Sequence, residues 1–270
     1  MKRFANARWG VWTVSLAAFA LLVVVGCGGG KQLPPPDLTT FKKIAIAPMI
    51  YEEDPEYGML AARDLGNQLQ IALKQTDDSI RVIFDETTDR QPISDAMAAL
   101  NLTLDQVFAE PKLAGKVAEA LNADVLLVGK IRNLRIETDE DDTPVYDMSA
   151  YEGLSKGDTR YVITWQRAST KLWARLVNPA GEVVWQTGAE PPKEPGTLTA
   201  YLKYARAYQA AAPSRDPVPE EQIRADMRDH IWRVLAYAIY PSYFPEVKVP
   251  VWKEKPTRKF KTSGGPVRFD

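Results

Sequence analysis

Histidine and cysteine are the side chains best suited to acid-base, nucleophilic and metal chemistry near neutral pH, and this chain of 270 residues has one of each. His230 lies within one helical turn of Met227 and Val234, which reads as a boundary packing position rather than a general base. A zinc site needs several histidine or cysteine ligands, and the sequence does not supply them. Asp139, Glu140, Asp141 and Asp142 offer the oxygen ligands that calcium prefers. That run lacks the alternating spacing and the glycine of a calcium loop, so it reads as a solvated loop. Ser155 and Ser169 have no histidine partner that pattern alone supports. Gly28, Gly29 and Gly30 run into prolines instead of opening a helix, unlike a phosphate loop. Trp165, Trp173 and Trp185 read as core or sheet-face aromatics before they read as a sugar platform. The inventory holds no catalytic set and no site for a metal or cofactor.

Cys27 differs from these residues because its surroundings form a pattern. Lys2, Arg3 and Arg8 supply a positive segment, Val11 to Val25 an apolar one, and Gly26 a small residue before the cysteine, the layout of an export signal. Val24, Val25, Gly26 and Cys27 resemble the lipobox of bacterial lipoproteins. The resemblance implies cleavage between Gly26 and Cys27 and lipidation of Cys27 with a diacylglyceryl group plus an N-acyl chain. Several acyl chains make attachment stable where one is marginal. Gly28 rather than Asp after the cysteine implies the outer membrane of a two-membrane bacterium. Three other readings remain. Trp9 to Gly26 reaches the lower edge of the roughly 17 to 25 residues that span a bilayer, so it also suits an uncleaved anchor. A buried helix fits poorly with the following glycines and with Pro34, Pro35 and Pro36. A chance cysteine has no second cysteine to form an intramolecular disulfide.

The residues that must carry any function lie beyond this segment. About 240 residues remain after residues 1–26, enough for one sizeable core without disulfides. The formal charge is -1 for the whole chain and becomes -4 without Lys2, Arg3 and Arg8, since no acidic residue precedes Cys27. Such a balance is not the electrostatic footprint of a nucleic-acid binder. The expected organisation is a signal peptide over 1–26, a flexible Gly/Pro linker over 27–40, a single α/β domain over 41–245 with an insertion at 191–219, and a basic tail over 246–270. That tail has seven Lys or Arg against three acidic residues and reads as a solvated terminal segment.

Periodicity from Phe41 onward predicts mixed α/β layers around a central mixed sheet of about five strands, with helices on both faces, a C-terminal helix and an extended tail. Ile44 to Ala47, Ile80 to Phe84 and Val125 to Val128 read as buried, parallel strands joined by right-handed crossovers. Helices are expected over Tyr57 to Thr76 and after Pro92 and Pro111, with a break near Asn101 to Glu110. Arg160 to Val177 and Glu182 to Thr187 flank the turn Asn178-Pro179-Ala180-Gly181 and read as an antiparallel hairpin. Within the insertion, Tyr201, Tyr204 and Tyr208 fit one face of a short helix at Leu198 to Ala211. Glu220 and Glu221 open a last helix, with Ile223, Met227, Ile231, Val234 and Ala238 as its core stripe.

This order carries a second resemblance. A lipobox, a short linker, Lys42-Lys43-Ile44-Ala45-Ile46-Ala47-Pro48, a long helix, Ala123-Asp124-Val125-Leu126-Leu127-Val128-Gly129 and a hairpin from Ala174 to Trp185 resemble the CsgG/PelC/LpoB-like superfamily of bacterial outer-membrane lipoproteins, with its TolB N-terminal-like α/β domain. The match covers roughly Phe41 to Gly188 plus the terminal helix; the 191–219 insertion and the basic tail depart from it. It implies a non-catalytic, lipid-anchored protein facing the periplasm, acting in envelope assembly, secretion or polymer export. Its partners would be the membrane, other envelope proteins or its own copies, without nucleic acid. One alternative is an oligomeric secretion pore resembling the curli channel, with Val145 to Tyr151 pairing with Tyr161 to Arg167 as a membrane hairpin. Others are an activator of a cell-wall synthase and, least favoured, an enzyme on wall sugars.

Overall fold

The computed structural model describes residues 34–87, 89–141, 161–188, 196–209, 218–247, 251–253, 258–262 and 265–269. The signal segment, Gly26 and Cys27 lie outside them. The first element is a short 3-10 turn, Leu38–Thr40, started by the Asp37 side chain on the Thr39 N–H. It falls where a flexible linker was expected, yet Leu38 is buried in the core.

Strand β1 (Lys43–Ile46) is the hub of the parallel part, with β2 (Arg81–Phe84) on one side and β3 (Val125–Asp141) on the other. Strand β4 (Tyr161–Val177) then runs antiparallel to β3, and β5 (Val183–Gln186) turns back on the end of β4. The turn forms as its residues dictate: the Gly181 N–H donates to the Asn178 carbonyl, and Gly181 has a φ of +80°, a backbone angle glycine takes without strain. These are the five strands expected from periodicity. Two more extend the sheet, β6 (Leu198–Gln209) and β7 (Val251–Lys253), giving the order β2-β1-β3-β4-β6-β7 with β5 on β4.

The expected short helix in the insertion is therefore corrected. Leu198 to Gln209 is a strand paired antiparallel with β4 over twelve registered pairs, Tyr161↔Gln209 to Leu172↔Leu198. Ala200, Leu202 and Tyr204 face the core at the strand period of two, and Tyr201 lies on the other face. The tail contributes paired strands: Val251–Lys253 pairs with β6, and β8 (Arg258–Thr262) and β9 (Gly265–Phe269) form a hairpin.

Among the described residues five helices cover the sheet. On one face lie α1 (Pro55–Thr76), capped by the Asp54 side chain on the Tyr57 N–H, and α5 (Glu220–Ile239). Leu65, Leu69 and Leu73 of α1 are at most 1% exposed and meet Met227, Ile231 and Leu235 of α5 over Ile44, Ile46, Leu127 and Leu176. Burial of such side chains contributes about 1.5–3 kcal/mol each. On the other face α2 (Pro92–Ala99), α3 (Leu104–Ala109) and α4 (Pro111–Ala120) bury Ile93, Met97, Val107 and Val117 against Ala45, Ala47, Leu126, Val128 and Val177. Helix α3 occupies the expected break and is nucleated by a capping box of Thr103 and Gln106.

Candidate functional site

The two helical layers do not extend equally far along the sheet. On the α2–α4 side, cover reaches Val177 and then Arg175, whose guanidinium lies 5.1 Å from the Phe108 ring centre. Beyond this point β4 presents Trp173, Lys171, Ser169, Arg167 and Trp165 at every second position, the face opposite buried Leu172, Thr170 and Ala168. Their cross-strand partners on β3 are Lys130, Arg132, Arg135, Glu137 and Asp139, and β6 contributes Thr199, Tyr201 and Lys203. The long strands thus form an arm with one apolar face on α5 and one charged, aromatic face that is partly open.

An irregularity in β3 shapes the open face. Arg132 pairs with Lys171 and Arg135 with Ser169, so three steps on β3 match two on β4. One extra residue, a β-bulge, has been accommodated. In a regular strand, residues three apart point to opposite faces. The bulge restores Arg135 to the face of Arg132, and lets Leu134 and Ile136 pack toward the α1–α5 core. The Thr170 hydroxyl donates to the Arg132 carbonyl at 2.9 Å and secures the distorted segment from below.

The charges along this face divide into paired and unpaired groups. Lys130 bonds Glu52 at 2.8 Å, which holds the Glu52 carboxyl below its usual range through that hydrogen bond. Arg167 bonds Asp139 at 2.7 Å, and Lys203 lies 3.9 Å from the Trp165 ring centre. Arg132, Arg135 and Lys171 are exposed and, among the described residues, have no carboxylate in salt-bridge contact. Arg132 instead lies 6.0 Å from the ring centre of half-buried Trp173. The three cations, Trp173, Ser169, Thr170 and Thr199 line a cavity of about 360 Å³.

A second cavity, of about 480 Å³, lies between α5 and the chain that follows it. Its lining includes His230, Asp226, Asp229, Arg233 and Phe244. His230 is 5% exposed, and burial lowers its pKa from the ordinary 6.5, with Asp229 opposing. The Tyr204 hydroxyl donates to Asp226 at 2.9 Å; burial and then that carboxylate raise the phenol's pKa.

The residues singled out from sequence separate accordingly. His230 is a packed helix residue and is not brought together with Ser169. The acidic run is corrected from loop to strand: Asp139, Glu140 and Asp141 belong to β3, and Asp142 lies outside the described residues, as does Ser155. Trp185 is buried in the core, whereas Trp165 and Trp173 are on the open face. The proposed membrane hairpin is also corrected in register, because Ile163 to Arg167 pairs with Glu137 to Asp141; Val145 to Tyr151 lies outside the described residues. Among the described residues no helix is long and apolar enough to cross a membrane. Sequence reasoning does not find the cationic cavity, because no linear spacing unites Arg132, Arg135, Lys171 and Trp173.

No family model matches the chain, and no curated protein matches it. Solved structures do. A dodecamer of a PelC variant from Paraburkholderia phytofirmans is similar over 78% of this chain and 96% of its own, at 16% identity and a TM-score of 0.33. The lipoprotein GNA1162 from Neisseria meningitidis is similar over 69% of this chain and 96% of its own, at 13% identity and a TM-score of 0.30. The C-terminal domain of LpoB from Salmonella enterica is similar over 58% of this chain and 80% of its own, at 12% identity and a TM-score of 0.26.

Proposed function

We propose that this protein is a non-catalytic, lipid-anchored component of the bacterial envelope that works by binding other envelope proteins or its own copies at the periplasmic face of the outer membrane. The observation that carries this reading is the β3–β4–β6 arm, a continuously paired sheet with one face in the core and the other presenting aromatic and charged side chains. A recognition surface on paired strands is held more rigidly than one on loops. The lipobox resemblance at Val24 to Cys27 supports the anchor. Because Leu38 is already fixed in the core, the tether is effectively Gly28 to Pro36, about 28 Å at roughly 3.1 Å per residue. A domain so tethered works close to its membrane. That short reach disfavours the role of a synthase activator acting across the wall.

The pore reading receives less support. Both β3 and β4 have 17 residues, longer than the 9–11 a spanning strand needs. Their open face, however, carries Arg132, Arg135, Lys171, Glu137 and Arg167, whereas a lipid-facing band is apolar. Wild type and Cys27→Ser grown with an alkyne palmitate analogue test the anchor. Wild type should be labelled and sediment with outer membranes, while Cys27→Ser should be unlabelled, folded and soluble. Firm membrane attachment of Cys27→Ser would contradict the proposal.

A further inference from the structure

We propose that the cavity at the β3 bulge is a binding site for an acidic saccharide, with Arg132, Arg135 and Lys171 holding its anionic group and Trp173 carrying its ring. This inference goes beyond the envelope role and does not depend on the anchor. Its first support is the cost of the arrangement. Arg132 and Lys171 stand directly opposite each other on neighbouring strands, where like charges are destabilising, and the bulge adds Arg135 to the same face. Among the described residues Glu52 bonds Lys130, Asp139 bonds Arg167, and neither they nor Glu137 make a salt bridge to the three cations, so the only relief from a carboxylate is the longer-range attraction between Arg132 and Glu52. An anion seated among the three cations would relieve the repulsion with charge-assisted hydrogen bonds.

The remaining lining distinguishes a sugar from a bare anion. A sugar ring presents a C–H face that stacks on an indole, and hydroxyls that exchange hydrogen bonds with side chains such as Ser169 and Thr199. All three side chains line the same cavity as the cations. The Arg132 guanidinium lies 6.0 Å from the Trp173 ring centre, which puts charge and indole within reach of one ligand. The volume of about 360 Å³ is within the range of small-ligand pockets, and an inorganic anion would fill little of it.

Calorimetry on the full chain in detergent micelles, with hexagalacturonate as the probe, tests the site. Hexagalacturonate should bind with an affinity that falls with added salt, and its methyl ester and neutral maltohexaose should bind at least about tenfold more weakly. Arg132→Gln with Lys171→Gln should weaken binding at least about tenfold, and Trp173→Ala several-fold, while Arg90→Gln, at an exposed cation elsewhere, should leave it unchanged. Protection of Lys171 from acetylation by hexagalacturonate in the wild-type protein provides a reading free of any variant's folding. Equal binding of maltohexaose, unchanged affinity in the double variant or absence of Lys171 protection would overturn the proposal. Binding confined to phosphatidylglycerol vesicles or to inorganic phosphate would overturn it too, as the site would then serve a membrane surface or a simple anion.

Discussion

Asp85 organises more of the fold than its position between a strand and a helix suggests. Its buried carboxylate accepts from the Ile93 N–H at 2.8 Å, the Ser94 N–H at 3.2 Å and the Ser94 hydroxyl at 2.5 Å. It therefore caps α2 from outside, where Gln91 at the helix start makes no side-chain cap. Asp85→Ala should cost about 2–3 kcal/mol, the sum of a lost cap and stranded buried donors, as read by urea unfolding. Gln166 acts similarly between the arm and α5, donating to the Val218 carbonyl at 3.1 Å and accepting from its N–H at 2.6 Å. Gln166→Leu should cost about 2–4 kcal/mol, because two backbone groups lose their partners inside the protein.

His230 gives the fold a pH dependence. Its pKa in the folded chain lies below the ordinary 6.5, principally through burial. Between the two values the unfolded chain holds the proton and the folded one does not, so stability falls as pH drops through that window. The melting temperature should fall from pH 7.5 to pH 5.5, and His230→Gln should reduce this fall. An identical fall in the variant would show that other groups are responsible.

Among elements, the bulged strand makes the clearest claim. If the opposed cations are a cost borne for a ligand, Lys171→Thr should raise stability by about 0.2–1 kcal/mol in the absence of ligand, measured by thermal unfolding at low salt. This region also shows where sequence reading succeeds and fails. Short apolar runs such as Ile44 to Ala47 and Val125 to Val128 are buried on both faces, so hydrophobicity alone identifies them. Leu198 to Gln209 satisfies two periods at once. Tyr201, Tyr204 and Tyr208 suit a helix, while Leu198, Ala200, Leu202 and Tyr204 suit a strand, and pairing with β4 decides between them. Arg132 and Arg135, three apart, read as opposite faces of a strand until the bulge is seen. Bulges are set by tertiary pairing, which is why the cationic cavity was not legible. Asp85 was hidden for a related reason, since it caps a helix that begins seven residues later.

At the scale of the molecule, the proposed tether and the partly open sheet face belong together. With Cys27 lipidated as proposed, about 28 Å of chain at roughly 3.1 Å per residue keeps the domain at its membrane, so its surface rather than its reach must select partners. The most direct measurement is site-specific photocrosslinking in living cells from Tyr201, on the open face of β6, followed by mass identification of the adduct. The account predicts a discrete adduct with an envelope protein or a second copy of this chain, lost when Cys27→Ser frees the domain from the membrane. No adduct in wild type, or the same adduct with soluble Cys27→Ser, would contradict it.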